Sequence, residues 1–367
     1  MRYYWLSIAI LLFIASCAKK EESRSSKITP KIDSLVAKLN DFSGVVLIAD
    51  SGNAIYHKAF GYSNFDTEQP LDTTSIFEIA SVSKQFTSMV IMMLKEENKL
   101  AYDDLLEKYI PGLPYKNITI RHLLTHTSGL PDYQAIMDAH WDKTKVAGNK
   151  ECIEYLIKYA PQKRFEPGAS YEYSNTGYML LASVAEKASG VDFISFARTR
   201  IFVPVKMNNT DIRTQQEKSM LRNMAWGHLW VTEKNAYVRA DSMIQFNYGI
   251  WLGNRKGPGR VSSTTRDLLK WDQKLYEGTL VSNETLAEAF TPMKTTKDSV
   301  SNYGFGWMLE TNSKLGKVVR HSGGNPGYKT HIVRYIDINK TIIILNNNAH
   351  PDFEKLLSEI ETVLTDN

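Results

Sequence analysis

The sequence predicts an α/β protein of the α+β type. We expect an antiparallel sheet built from both termini and flanked by helices, with a mainly helical lobe inserted between them. Three observations carry this expectation. Strand patterns broken by turn residues occur near the N-terminus, from Ser43 to Phe60, and again from Val318 to Leu345. Each is accompanied by helical periodicity, over Ile32 to Leu39 at one end and about Asp352 to Val363 at the other. The stretch from about Leu100 to Phe290 reads as helices interrupted by loops. Hairpin and helix at both ends bury their apolar faces most simply in one shared sheet. The 367 residues suffice for two lobes around a cleft. The sheet lobe is expected at about 29–100 and 300–367, the helical lobe at about 101–299.

The chain opens Met1-Arg2 and then runs apolar from Tyr3 to Ala15. A positive start and a short hydrophobic core have the form of a secretory signal. The run is too short to span a bilayer comfortably. It closes Ile14-Ala15-Ser16-Cys17, which resembles a bacterial lipobox. We therefore expect residues 1–16 to be removed and Cys17 to carry lipid. That lipid would hold the protein to a bacterial membrane at the cell envelope, facing the periplasm or the exterior. Residues 17–28 are charged and serine-rich, and read as a flexible tether.

Thr29-Pro30 reads as a helix start. Ile32, Leu35, Val36 and Leu39 then give that helix one apolar face. Ser43 to Ala49 and Ala54 to Phe60 flank Asp50-Ser51-Gly52-Asn53, a β-hairpin. His331 to Tyr335 and Thr341 to Leu345 flank a second turn, and Lys314-Leu315-Gly316 reads as a third. With Cys17 in the leader, Cys152 is left alone, a small buried hydrophobe with no disulfide partner. A net charge of +4 with no basic stripe argues against a nucleic-acid partner.

Phe77-Glu78-Ile79-Ala80 leads into Ser81, and an apolar helix follows through Leu94. Ser81 and Lys84 are three apart, so their side chains share a helix face. A serine hydroxyl is a poor nucleophile until a base takes its proton, and a neutral lysine is such a base. Burial lowers a lysine pKa, and a helix N-terminus favours negative charge developing beside it. Alone, Ser-x-x-Lys has little specificity; Ser16 to Lys19 repeats it in the leader.

Such an enzyme needs a second polar element and a strand-edge element across the cleft. Three Tyr-x-Asn runs are present, at Tyr62, Tyr115 and Tyr173. Only Tyr173-Ser174-Asn175 follows a Pro-Gly turn and opens a helix, so Tyr173 and Asn175 are selected. For the strand element, His321-Ser322-Gly323 is the one His-x-Gly that fits.

These motifs in this order resemble the penicillin-binding serine hydrolases related to class C β-lactamases. The resemblance spans about Phe42 to Leu345. It includes Ala80-Ser81-Val82-Ser83-Lys84, Leu123-Leu124-Thr125-His126-Thr127-Ser128-Gly129-Leu130 and Tyr173-Ser174-Asn175. It continues through Ser263-Thr264-Thr265-Arg266-Asp267-Leu268, Tyr303-Gly304-Phe305-Gly306-Trp307 and His321-Ser322-Gly323-Gly324. The resemblance implies an acyl-enzyme on Ser81. Lys84 and Tyr173 would share the proton work, with a tyrosinate beside a lysinium as one form of the base. Asn175 would contact Lys84 and substrate, His321 and Gly323 would line the substrate site, and backbone N–H groups of Ser81 and Gly324 would form the oxyanion hole. No cofactor and no metal are implied.

One departure bears on substrate. Class C β-lactamases usually carry lysine where this chain has His321, and a histidine is mostly neutral at neutral pH. Adjacent strand residues point to opposite faces, so Arg320 does not replace that charge. The expected activity is therefore serine acyl hydrolysis of an ester, amide or peptide without that carboxylate, on a small-molecule or peptide substrate. The alternatives are a D-alanyl-D-alanine carboxypeptidase, a D-aminopeptidase or a weak β-lactamase, and, outside enzymes, an envelope lipoprotein that binds peptidoglycan peptides. His122 and His126 lack a third ligand and are read as structural. Trp226-Gly227-His228 is assigned to loop packing. Arg255, Lys256 and Arg260, set among glycines and a proline, are assigned to a solvated loop.

Overall fold

The computed structural model describes residues 25–297 and 299–365. Six strands make one antiparallel sheet: β1 (Gly44–Asp50), β2 (Asn53–Phe60), β3 (Met308–Asn312), β4 (Gly316–Asn325), β5 (Tyr328–Tyr335) and β6 (Lys340–Asn346). Their order is β3-β4-β5-β6-β1-β2. The two ends of the chain meet at the β1–β6 ladder, where Leu47 faces Ile343 and Val46 faces Ile344. Six helices position the site: α1 (25–37), α2 (Lys84–Glu96), α3 (Ile120–Leu124), α4 (Asn175–Ser189), α5 (Thr265–Lys274) and α6 (Phe353–Thr365).

Period-two alternation sorts the sheet into two faces. Val46, Ile48, Val333, Ile342 and Ile344 meet α1 and α6 through Ile28, Ile32, Val36, Leu356 and Ile360. Val45, Leu47, Val319, Ile332, Ile343 and Leu345 join the larger core on the opposite face. That core includes α2, whose Phe86, Met89, Val90, Ile91 and Leu94 are buried all round its axis. His321 lies two residues beyond Val319 on β4 and therefore shares the inner face. Arg320 points outward, to Glu361 of α6 at 2.8 Å. Lys329 is also turned away, with Nζ donating to His350 O at 3.0 Å.

Four expectations are adjusted. The tether is shorter than 17–28, because residues 25–28 are already helical. Ile28 lies one turn before Ile32, extends the same apolar face and is buried, and Ser25 Oγ donates to Ile55 O at 2.9 Å. Thr29-Pro30 consequently falls inside α1 instead of starting it. The lobe boundary at 101–299 is also displaced, since α5 packs on the inner face of the sheet. Thr341 Oγ1 of β6 donates to Asp272 at 2.7 Å, and Arg334 of β5 pairs with the same buried carboxylate. Finally, short strands form outside the main sheet, most of them within the helical lobe. Phe77–Glu78, Val261–Ser263 and Asp211–Ile212 form a three-stranded sheet, and His228–Val231 pairs with Ala236–Arg239.

The leader and Cys17 lie outside the described residues. Among those described, no helix is long and apolar enough to cross a membrane. Cys152 is free and buried, and burial pushes its thiol up to about 12.

Candidate active site

Ser81 sits where a short strand gives way to a helix. Phe77–Glu78 pairs with Val261–Ser263, and the Ile79 N–H donates to Val261 O at 3.0 Å. Ala80 then takes a left-handed φ of 46°, and a 3₁₀ turn over Ala80–Ser83 runs into α2. A left-handed alanine costs about 1–2 kcal/mol, so the surroundings must impose it. Val82 N–H donates to Ile79 O at 3.1 Å, Val261 N–H donates to Ser83 Oγ at 3.1 Å, and Thr330 Oγ1 of β5 donates to Ile79 O at 2.9 Å.

The sheet reaches this turn because residue 323 is glycine. A Cβ there would lie 2.4 Å from Ile79 O and 2.3 Å from Thr330 Oγ1. Gly324 is different. A Cβ there would meet nothing within 4 Å, and the residue lines the open pocket beside Ser81.

Lys84, fully buried, places Nζ 3.0 Å from Ser81 Oγ. Nζ also donates to Asn175 Oδ1 and to Pro258 O, both at 2.8 Å. Burial, reinforced by the Arg255 guanidinium, holds this ammonium well below the usual lysine range. The two carbonyl oxygens can only accept hydrogen bonds. A neutral amine gives each of them one N–H and keeps its lone pair for the Ser81 hydroxyl. The three contacts accommodate either protonation state; burial beside Arg255 is what favours the neutral amine, whose lone pair then faces the Ser81 hydroxyl.

Asn175 opens α4, with Ser174 as N-cap accepting from the Gly177 N–H at 3.1 Å. That cap fixes the first helical residue, and with it the amide that meets Lys84. Tyr173 lies on the same loop, its ring centroid 4.7 Å from Lys84 Nζ. Burial pushes its hydroxyl above the usual tyrosine range; the nearby Ser81 opposes this without a well-formed hydrogen bond to Oη. A lowered lysine and a raised tyrosine favour amine and phenol over lysinium and tyrosinate. Of the two forms of the base, burial therefore favours the one in which Lys84 is the amine and Tyr173 the phenol.

His321 is set back from the pocket. Its Nδ1 lies 2.6 Å from Ser322 O and its Nε2 lies 2.8 Å from Tyr303 Oη. A carbonyl oxygen cannot donate, which assigns the proton to Nδ1 and makes Nε2 the acceptor of the Tyr303 hydroxyl. Burial, with Lys84 nearby, lowers its pKa to about 3. Both nitrogens are engaged inside the protein, so the expected direct contact of His321 with substrate is not available.

Two residues of the quoted motifs prove more central than expected. His126, just past α3 with φ of 58°, is fully buried, and its Nδ1 accepts from the Ser174 N–H at 3.0 Å. It thereby fixes the loop between Tyr173 and Asn175, with ring centroids 4.3 Å from Tyr173 and 4.4 Å from Tyr303. Tyr303 links this aromatic cluster to His321. Among the described residues no group of His, Cys, Asp or Glu could hold a metal ion.

The assignment of Arg255, Lys256 and Arg260 to a solvated loop is overturned. Arg255 and Arg260 are 7% and 4% exposed, and Lys256 pairs with Asp192 at 2.8 Å and with Glu186. Arg255 lines the pocket that contains Ser81, Asn175 and Gly324. That pocket shares Tyr248, Arg255 and Asn325 with a neighbouring cleft walled by Trp226 and Gly227. Trp226-Gly227 is thus more than loop packing.

The Beta-lactamase family model matches residues 32–363. A penicillin-binding protein of Bacillus subtilis (strain 168) is 41% identical over 309 residues, 84% of this chain and 68% of that one. A D-aminopeptidase of Brucella anthropi is 27% identical over 288 residues, covering 78% of this chain and 52% of its own length. The octameric penicillin-binding protein homologue from Pyrococcus abyssi superposes with a TM-score of 0.78 at 26% identity, over 93% of this chain and 77% of that chain. The match spans both lobes and the cleft between them, and the chain belongs to the Beta-lactamase family as a serine hydrolase.

Proposed function

We propose that Ser81 attacks an ester, amide or peptide carbonyl and carries the acyl group, with Lys84 as the base. One observation carries this reading: a buried Lys84 Nζ meets Ser81 Oγ at 3.0 Å and is held there by two carbonyl oxygens. On attack, the serine proton passes to the Lys84 lone pair. The lysinium then lies within reach of the leaving group and returns the proton. The Ser81 and Gly324 N–H groups receive the developing oxyanion, where removing one donor typically costs about a hundredfold or more. Tyr173 and Tyr178 wall the base, with ring centroids 4.7 and 5.5 Å from Nζ. Asn175 holds the amine in register.

Peptides of D-amino acids lead the substrate panel, because a D-aminopeptidase is among the relatives. β-Lactams stand lower, because a neutral, doubly engaged His321 offers their carboxylate no charge. We further propose that Cys17 carries lipid and displays the enzyme at the cell envelope; mass spectrometry of the mature N-terminus tests this, and an unmodified Cys17 contradicts it.

Labelling with a fluorophosphonate and a fluorescent penicillin tests the catalytic reading. Wild type should be labelled by the fluorophosphonate and Ser81→Ala should not. No labelling of wild type, or equal labelling of both, overturns the reading.

A further inference from the structure

Three cations are buried around the Ser81 pocket and its neighbouring cleft: Lys218, Arg260 and Arg255. Two are satisfied internally. Lys218 pairs with Glu78, which also accepts from Asn325 Nδ2 at 3.0 Å. Arg260 donates to Arg213 O at 2.7 Å and Leu252 O at 3.3 Å. Arg255 stands apart. Its Nη1 donates to the Tyr133 hydroxyl at 2.6 Å, a neutral partner. Its Nε is buried with no hydrogen-bond partner, and among the described residues no carboxylate pairs with it.

The guanidinium is charged at every relevant pH and has five N–H donors. Buried charges are ordinarily paired, and a guanidinium on a pocket wall with an unmade hydrogen bond and no carboxylate partner calls for a ligand. The position agrees. Arg255 borders both the Ser81 pocket and the Trp226 cleft. Its Nη2 lies 3.6 Å from where a Cβ on Gly259 would stand, and Gly259 lines the same pocket.

We propose that Arg255 is the anion-binding residue of the substrate site, and that the enzyme selects linear acyl substrates bearing a carboxylate that reaches it from the Ser81 carbonyl. The proposal rests on the serine-hydrolase reading and deepens it. It assigns to Arg255 the charge that His321 lacks, and so restores carboxylate-bearing substrates in a different geometry from the one the His321 position would have imposed.

Two matched ester pairs test it, each differing only by carboxylate against carboxamide. One pair places the group on the leaving group, as 3-hydroxybenzoate against 3-hydroxybenzamide acetates. The other places it on the acyl group, as succinyl against succinamoyl phenyl esters. In at least one pair, wild type should prefer the carboxylate about ten- to a hundredfold in kcat/KM, the range of a charge-assisted bidentate contact. Arg255→Gln should abolish the preference chiefly by slowing the carboxylate member. Equal kcat/KM within both pairs in wild type overturns the proposal whether or not the variant folds. So does a preference that survives in Arg255→Gln. An Arg255 that served only to keep Lys84 neutral would shift the pH profile of both members alike and leave their ratio unchanged, which also overturns it. Dissociation constants of the same pairs on Ser81→Ala, by calorimetry, judge Arg255 without hydrolysis. If wild type hydrolyses none of the esters, the hydrolase reading fails, and the calorimetric ratio alone then decides for or against Arg255.

Discussion

Lys84 Nζ lies 3.0 Å from Ser81 Oγ, and its other two polar contacts are carbonyl oxygens, Asn175 Oδ1 and Pro258 O, each at 2.8 Å. Neither carbonyl can donate a proton, so a Lys84 kept neutral by burial gives each an N–H and turns its lone pair to the serine.

Replacing Lys84 by methionine keeps the volume and removes the base. The rate of Ser81 acylation by an activated ester should fall by about 10²–10⁴, the usual worth of a positioned base. Thermal stability should hold or rise, since a polar group is removed from a dry site. Stopped-flow acylation with parallel thermal denaturation checks both. Acylation at the wild-type rate would remove Lys84 from the mechanism.

Gly323 and Gly324 are adjacent but should respond differently. Gly323→Ala drives a Cβ into Ile79 O and Thr330 Oγ1, and overpacking of this kind costs about 1–3 kcal/mol. The displaced turn carries Ser81, so acylation should fall as well. Gly324→Ala meets no atom within 4 Å and should leave stability within about 0.5 kcal/mol. Chemical denaturation of the two variants side by side measures the contrast; equal stabilities would contradict it.

Tyr303→Phe removes the hydroxyl that donates to His321 Nε2 and leaves a buried acceptor unpaired. A loss of about 1–3 kcal/mol is expected. The His321 pKa of about 3 adds a pH signature. The folded pKa lies below the ordinary histidine value of about 6.5, so between them the unfolded chain binds more protons. Stability from His321 is therefore present above about pH 6.5 and is lost as pH falls toward 3. Nitrogen NMR should show the Nδ1-protonated tautomer from pH 5 to 9; an imidazolium in that range would contradict the assignment.

Local patterns carried much of this architecture. Turn chemistry at Asp50–Asn53 and the alternating residues of β1 and β6 specify hairpins without help from distant residues. The Ser81–Lys84 spacing does the same for a shared helix face. What escaped were properties decided by long-range contact. Arg255 lies in a glycine-bearing loop, and that much is correct. Its burial depends on Tyr133, 122 residues away in sequence, which no local pattern reveals. His321 was read as standing where a lysine is usual. Its withdrawal from the substrate depends on Tyr303, whose hydroxyl has no sequence signature. His126 had a visible signal, a histidine among small polar residues after an apolar helix turn, but its bond to the Ser174 N–H required the fold. At the N-terminus, the charged run concealed Ile28, one turn ahead of an apolar face already recognised.

The most direct test of a neutral Lys84 acting on Ser81 is the pH dependence of Ser81 acylation by a neutral ester, followed in the pre-steady state. The base must be unprotonated, so the rate falls as pH drops through the Lys84 pKa. Burial and Arg255 place that pKa well below the ordinary lysine value of 10.5. The profile should therefore reach its plateau well below pH 10.5, and its acid limb should disappear in Lys84→Met. A rate that climbs steadily to a plateau only near pH 10.5 would mean an ordinary, protonated lysine, and would contradict the account.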